Sequence, residues 1–317
     1  MKRLALVPAV LLLAGCAAPA APASTPDAPE PLTLSNCGFE VSFDAPPERV
    51  VTIKSTSTEL LLALGLGDRI VGTAFQDGPV PDEWAADAAG LPVLAERMPS
   101  QEVVYDAETD LVFSGWESAF SAEGAGERDD LAALGVATYV QPAACQSSGQ
   151  PQKLDFEELF REVEEVARIF DVDATALLDA QRAELEAIDP LDGGLTALWW
   201  SSGTDTPYVG AGIGAPQLVL ETAGLANIAG DVDATWSPFN WESVLDADPD
   251  VLVLVDATWN SAQKKIDYLT SNPATATLSA VVHERFVILP FPATEAGVRT
   301  VSAVTSLVEQ VRGLDLP

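Results

Sequence analysis

The sequence predicts an α/β protein built from two lobes. Short apolar runs alternate with helical stretches, which is typical of parallel sheets layered with helices. About 280 residues follow a predicted export leader and tether, a length that indicates two domains. The strand-like runs are Val50–Ile53, Leu111–Phe113, Thr138–Val140, Leu195–Trp200, Val251–Val255 and Phe286–Leu289.

An internal repeat is the third observation. Residues 102–113 (EVVYDAETDLVF) read like residues 242–253 (ESVLDADPDVLV), each a short helix, an acidic turn and a buried strand. A second matching pair precedes each copy, at residues 59–72 and 217–230. Two copies of one unit in the same order favour two related lobes over a solenoid. A chance match of acidic helix-to-strand segments is the alternative.

The chain begins like an exported lipoprotein. Met1-Lys2-Arg3 precedes an apolar run of about half the ~20 residues that a membrane span requires. Residues 13–16 (LAGC) resemble the bacterial lipobox, in which Cys16 would be acylated and become the first mature residue. The alternative is an ordinary cleavage site near a chance cysteine. A Pro/Ala-rich stretch then indicates a flexible tether.

These features divide the chain into a leader (1–16), a tether (17–36), an N-terminal lobe (37–171), a connecting helix (172–190) and a C-terminal lobe (191–317). Apolar residues recur at helical spacing up to Phe170, and a second helix follows Asp173, which we expect to cap it. Because a helix is a stiff connector, we expect only modest closure of the lobes.

Charge and cysteines narrow the possibilities further. Forty-eight acidic residues against 16 basic ones give a net charge of −32, which excludes nucleic acid as a partner. With Cys16 set aside, Cys37 and Cys145 remain in an exported chain, so we expect a disulfide. Two buried free thiols are the alternative.

Residues 47–72 (PERVVTIKSTSTELLLALGLGDRIVG) resemble the opening of the iron-siderophore and cobalamin class of ABC transporter substrate-binding proteins, within the periplasmic binding protein family. The resemblance continues to Val311. It implies two Rossmann-like lobes joined by a single long α-helix, with a ligand held in the cleft between them and delivered to a two-subunit membrane permease. We also expect a monomer that is anchored to the outer face of the cell membrane and carries no cofactor.

A narrower resemblance is to an actinobacterial subgroup named as carriers of a deazaflavin coenzyme precursor. It rests on residues 52–56 (TIKST), 198–203 (LWWSSG), 210–217 (GAGIGAPQ) and 290–299 (PFPATEAGVR). It implies a small, planar and anionic ligand. The alternatives are a ferric siderophore or cobalamin carrier of the same fold and, more remotely, a secreted hydrolase or scaffold.

In the cobalamin-type members, one glutamate on each lobe docks into arginines of the permease. The matching positions here are Glu102 and Glu242, where the repeat places equivalent carboxylates. Paired charges would fix the orientation on the permease. The alternative is that each merely complements the dipole of its helix.

Several side chains are candidates for the cleft. Lys54, Ser55 and Thr56 follow a strand and open a helix, where an anionic or polar group could bind. The alternative is a plain helix cap with a solvent-facing lysine. Gly212 lies in a G-x-G-x-G loop that would let a ligand approach the backbone.

Aromatic and cationic residues complete the candidate set. We expect two or three of six tryptophans near predicted strand ends to line the cleft, although each alone could pack in a lobe core: Trp116, Trp199, Trp200, Trp236, Trp241 and Trp259. Arg97 and Arg299 could meet a carboxylate or phosphate, or form surface ion pairs.

Catalytic patterns are scarce. The single histidine, His283, reads as an exposed residue in a turn entering a strand. One histidine and no cysteine pair at metal spacing argue against a transition-metal site, and no G-x-S-x-G elbow or P-loop occurs in the sequence. We therefore expect a binding protein and not an enzyme.

Overall fold

The computed structural model describes residues 31–146 and 152–316. It contains a two-stranded hairpin and two larger sheets, and each of the larger sheets is covered by helices on both faces. The predicted α/β fold with two lobes is therefore confirmed. Cys16, the rest of the predicted leader and most of the predicted tether lie outside the described residues.

The N-terminal lobe holds a five-stranded parallel sheet in the order β5-β4-β3-β6-β7. Buried, mostly aliphatic residues form its central strands, which suits strands that carry helices on both faces. The strands are β3 (Val50–Ile53), β4 (Ile70–Ala74), β5 (Val93–Ala95), β6 (Leu111–Ser114) and β7 (Ala137–Val140), and the helices are α1 (Ser55–Ala63), α2 (Ala85–Ala88), α3 (Gln101–Asp106) and α4 (Arg128–Ala133).

An antiparallel hairpin precedes this sheet and corrects the predicted tether. Strands β1 (Leu32–Asn36) and β2 (Phe39–Phe43) pair and add apolar side chains to the core of the lobe. The last five residues assigned to the tether are thus folded, because their alternating apolar side chains pack on the lobe. Cys37 in the hairpin turn forms a disulfide with Cys145.

Two helices join the lobes in place of the single long helix that the resemblance implies. Helix α5 (Phe156–Ile169) is capped by Asp155, and α6 (Thr175–Ala187) follows a turn in which Asp171 has a φ of 52°. The predicted connector at 172–190 corresponds to α6, while α5 was placed in the N-terminal lobe. The Asp173 carboxylate accepts a hydrogen bond from Thr175 N at 2.9 Å, just before α6.

The C-terminal lobe contains a six-stranded mixed sheet. Strands β8, β12, β13 and β10 run parallel, whereas β9 and β11 form an antiparallel edge. The strands are β8 (Thr196–Ser202), β9 (Tyr208–Gly210), β10 (Ala226–Asn227), β11 (Trp236–Pro238), β12 (Val251–Asp256) and β13 (Phe286–Pro290), and the helices are α7 (Ala215–Ala223), α8 (Trp241–Ala247), α9 (Ala262–Ser271), α10 (Ser279–Val282) and α11 (Thr300–Arg312).

The sequence repeat occupies equivalent places in the two sheets. Helix α3 leads to β6, which pairs with β3, the first strand of its sheet; helix α8 leads to β12, which pairs with β8, the first strand of the other. Likewise, α1 leads to β4 beside β3, and α7 leads to β10 beside β8. None of the helices within the described ranges is long and apolar enough to span a bilayer.

Candidate ligand-binding site

A cavity of about 880 Å³ lies between the lobes. Its wall includes Trp116 and Gln141, which follow β6 and β7, and Ser202, the last residue of β8, together with one side of α5 and the segment after β13. Loops beyond the carboxyl ends of parallel strands are the usual ligand site of such sheets. The volume is within the range of small-molecule sites.

Aromatic side chains line both sides of this cavity. Trp116 comes from the N-terminal lobe, whereas Tyr208, Trp236, Trp259 and Phe291 come from the C-terminal lobe. The rings of Tyr208 and Trp236 are stacked, with centroids 6.4 Å apart and an interplanar angle of 12°. Such surfaces bind flat, apolar ring systems.

Carboxyl groups dominate the charged lining. Among the residues that the structure describes, five glutamates and one cationic side chain, that of Arg161, line the cavity. The glutamates are Glu117, Glu158, Glu162, Glu165 and Glu295. Arg161 itself lies 3.5 Å from Glu158. This distribution argues against the expected anionic ligand, because ionised carboxylates would repel a negative ligand charge.

Two of these carboxyl groups are shielded from water. Burial raises the pKa of Glu162 to about 8, with a further contribution from Glu165, although a hydrogen bond with Gln141 opposes the shift. Burial also raises the pKa of Glu295 to about 7, against the opposing charge of Lys54. At neutral pH both groups are therefore partly protonated.

Lys54 occupies a closed aromatic cage instead of the open cleft. Its side chain is fully buried and pairs with Asp77. The ammonium lies 3.6 Å from the ring centroid of Trp116, 4.2 Å from that of Phe75 and 4.8 Å from that of Phe291. The expectation that Lys54 meets an anionic ligand is corrected, because Asp77 already neutralises its charge.

The neighbouring residues are closed off as well. Ser55 Oγ accepts a hydrogen bond from Asp77 N at 2.8 Å. Thr56 is buried against Gly115, which has no room for a side chain next to Thr56 Oγ1. Ser55 and Thr56 therefore pack the start of α1 against Asp77 and Gly115 and do not line the cavity.

Three polar contacts join the lobes next to the cavity. Trp116 Nε1 donates a hydrogen bond to Glu295 Oε1 at 2.7 Å, and Gln141 Nε2 donates to the Ala296 carbonyl at 2.8 Å. Arg299 Nη1 lies 3.2 Å from Glu59 Oε1. Burial raises the pKa of Glu59 to about 7, although the charge of Arg299 opposes this shift. Arg299 thus joins the lobes and does not line the cavity.

Three of the six predicted tryptophans, Trp116, Trp236 and Trp259, line the cavity. The other three do not. Trp199 and Trp200 are 0% and 1% exposed on the central strand β8, where consecutive side chains enter the cores on opposite faces of the sheet. Trp241 packs on Trp200 with centroids 5.1 Å apart. For these three the cleft assignment is wrong.

Two more candidates lie elsewhere. A side chain at Gly212 would clash with the carbonyl oxygens of Gly230 and Val232, so this glycine allows close backbone packing and not ligand approach. Arg97 is exposed and lies with Trp259 at a separate depression of about 220 Å³.

Glu102 and Glu242 are exposed in the first turns of α3 and α8. The side chains of Ser100 and Asn240 cap these helices in the same way, each accepting a backbone N–H three residues on. His283 is exposed. The described residues contain no cluster of His, Cys, Asp or Glu that could hold a metal ion.

Sequence reasoning missed Tyr208, Phe291, Glu162 and Glu295. Glu162 had a detectable signal, since it lies three residues after Leu159 and four before Val166 on the buried face of α5. A carboxyl group on an apolar helix face indicates either that the group has a buried partner or that it belongs to a functional site. Tyr208 begins the three-residue strand β9, and Phe291 and Glu295 lie in the short segment after β13, where no periodicity marks them.

The chain matches known proteins along most of its length. A family model described as "Periplasmic binding protein" matches residues 50–293. An uncharacterized ABC transporter substrate-binding lipoprotein, YvrC of Bacillus subtilis, is 23% identical over 97% of this chain and 95% of its own.

Solved structures agree on the fold. A periplasmic binding protein from Veillonella parvula is 24% identical with a TM-score of 0.76, covering 90% of this chain and 98% of its own. The ABC-type Fe³⁺-hydroxamate transport system of Saccharomonospora viridis is 27% identical with a TM-score of 0.75, covering 88% and 98%.

Proposed function

Because the chain belongs to the periplasmic binding protein family, we propose that it is the lipid-anchored solute receptor of an ABC importer, with the inter-lobe cavity as its ligand site. The observation that carries this proposal is the cavity itself, with aromatic side chains from both lobes on its wall. A ligand bound there touches both lobes, as a receptor that presents its cargo to a two-subunit permease requires.

Flat ring systems suit the stacked Tyr208–Trp236 surface. A deazaflavin coenzyme precursor would meet this requirement through its ring system, and the acidic lining argues against its anionic forms. A ferric siderophore is the second candidate, supported by the likeness to the Fe³⁺-hydroxamate transport system.

Ligand titrations followed by tryptophan fluorescence distinguish these candidates. We expect flat heteroaromatic compounds to bind more tightly than hydroxamate or catecholate siderophores. Trp236→Ala should weaken their binding by roughly five- to 150-fold, which corresponds to the ~1–3 kcal/mol of one stacked ring. The opposite ranking would establish the siderophore. The mass of any molecule that co-purifies with the native protein would identify the ligand directly.

Attachment and docking are tested separately. Cys16→Ser should release the protein from the membrane fraction into the medium, because the acylated thiol is the proposed anchor. Replacing Glu102 and Glu242 by glutamine should reduce uptake while ligand binding stays unchanged. Glu164→Gln is the matched control, since this exposed glutamate on α5 lies on neither docking helix. Normal uptake by the Glu102/Glu242 variant would refute the docking role.

A further inference from the structure

Two buried carboxyl groups on the cavity wall have oxygens without partners. Glu162 is 4% exposed, and its Oε1 has no hydrogen-bond partner in the described part of the chain. Glu295 uses Oε1 to accept from Trp116, while its Oε2 is buried and likewise unpartnered among the described residues. An unsatisfied buried acceptor costs about 1–3 kcal/mol, which a donor on a ligand would recover.

Gln141 brings these two groups into one polar network. Its side chain is close enough to Glu162 to lower the pKa of that carboxyl group, and it donates a hydrogen bond to the carbonyl of Ala296, the residue after Glu295. Glu165, one turn of α5 from Glu162, lines the cavity too and accepts a hydrogen bond from Tyr139 Oη at 2.7 Å. Glu162, Glu165 and Glu295 therefore form one group of carboxyl side chains on the cavity wall.

Among the described residues, no cationic side chain on the cavity wall is available to neutralise these carboxyl groups. Arg161 faces Glu158, and Lys54 is enclosed with Asp77 behind Trp116. The aromatic surfaces of Tyr208 and Trp236 complete a lining of π faces and carboxyl groups. This combination binds organic cations, which are attracted by the ring faces and by the carboxylates together.

We propose that the ligand of this cavity is a flat organic cation carrying N–H groups, such as an amino- or amidino-substituted ring system, and that Glu162 and Glu295 accept its hydrogen bonds. This inference rests on the proposed function, since it names the chemical class of the solute held between the lobes.

Three ring systems of one shape test the charge preference. Proflavine is a planar cation with two amino groups, acridine is its neutral counterpart at pH 7.5, and acridine-9-carboxylate is an anion. Calorimetric titration of the purified protein in moderate salt should give the affinity order proflavine, acridine, acridine-9-carboxylate. The first and last should differ at least about tenfold, because one charge-assisted hydrogen bond is worth ~1.5–3 kcal/mol.

Substitutions assign the preference to the two carboxyl groups. Glu162→Gln should weaken proflavine binding about tenfold or more and leave acridine unchanged, and Glu295→Gln provides an independent second variant. Glu164→Gln removes the same charge from the same helix but does not line the cavity, so it should bind all three compounds like the parent and thereby controls for general attraction to an acidic protein.

Equal or tighter binding of the anion would overturn the proposed ligand class, as would unchanged proflavine affinity in both glutamine variants. Failure of all three rings to bind would overturn it too. None of these results would bear on the proposed role in import, which is tested by uptake through the permease and by the Glu102 and Glu242 variants.

Discussion

Glu162→Gln should make the protein more stable at high pH, and the structure sets the size of the effect. Glu162 is nearly excluded from water, and burial raises its pKa from 4.5 to about 8. Glu165 on the same helix adds to the shift, whereas the Gln141 side chain opposes it. Tyr139 donates its hydroxyl to Glu165 and belongs to the same group.

The sign of the effect follows from proton binding. Below pH 4.5 the Glu162 carboxyl holds its proton in both the folded and the unfolded chain. Between pH 4.5 and about 8 the unfolded chain releases that proton while the folded protein keeps it, so the free energy of unfolding falls as pH rises. Glutamine has no such proton, and the variant lacks this fall.

The expected magnitude is several kcal/mol. One unit of pKa corresponds to about 1.4 kcal/mol, which gives about 4 kcal/mol for this carboxyl between pH 5 and pH 9. Water entering the cavity solvates the charged form and reduces this value. We therefore expect the stability of the variant relative to the parent to increase by about 2–4 kcal/mol over that pH range.

Urea unfolding at pH 5, 7 and 9, followed by circular dichroism, measures this difference. Glu164→Gln serves as the control, because this glutamate is exposed and its substitution should give the same relative stability at each pH. A relative stability of Glu162→Gln that changes by less than about 1 kcal/mol from pH 5 to pH 9 would refute the argument from burial.

Three further predictions concern the disulfide, the buried ion pair and the ligand. Replacing Cys37 and Cys145 by serine opens a loop spanning 108 positions, so urea unfolding should show a loss of up to about 4.7 kcal/mol that added reductant reproduces in the parent. Lys54→Met leaves Asp77 buried without its cation, and we expect a loss of about 3–5 kcal/mol that the additional change Asp77→Asn partly restores. Proflavine affinity should rise between pH 6 and pH 9 as Glu162 ionises, and an affinity independent of pH in calorimetric titrations would contradict the proposed contact.

The sheets were the most predictable part of the fold. Each long apolar run, such as Val50–Ile53 or Val251–Val255, became a strand within two residues of its predicted bounds. These strands are covered on both faces, so their sequence must be apolar throughout and stands out. The β1–β2 hairpin escaped prediction because Leu32–Asn36 continues a Pro/Ala-rich stretch and alternates over only five residues.

The residues that line the cavity were harder to predict, because this depends on the direction in which each side chain points. Trp199 and Trp116 both lie at or near strand ends, yet Trp199 is still inside strand β8 and enters the core, whereas Trp116 follows β6 and reaches the cleft. A difference of one or two residues in the end of a strand decides the outcome. Charge pairing posed the same difficulty, since the sequence placed Lys54 correctly after β3 but did not show that Asp77 would approach it.

The contacts that join the lobes bear on how the protein handles its ligand. The Trp116–Glu295 hydrogen bond and the Gln141–Ala296 hydrogen bond already connect the two lobes, and both use residues of the cavity wall. Because these contacts are already present, we expect ligand binding to require no large closure of the lobes. The proposed cation at Glu295 would act on the same carboxyl group that accepts the hydrogen bond from Trp116, and it would thereby change the strength of a bond between the lobes.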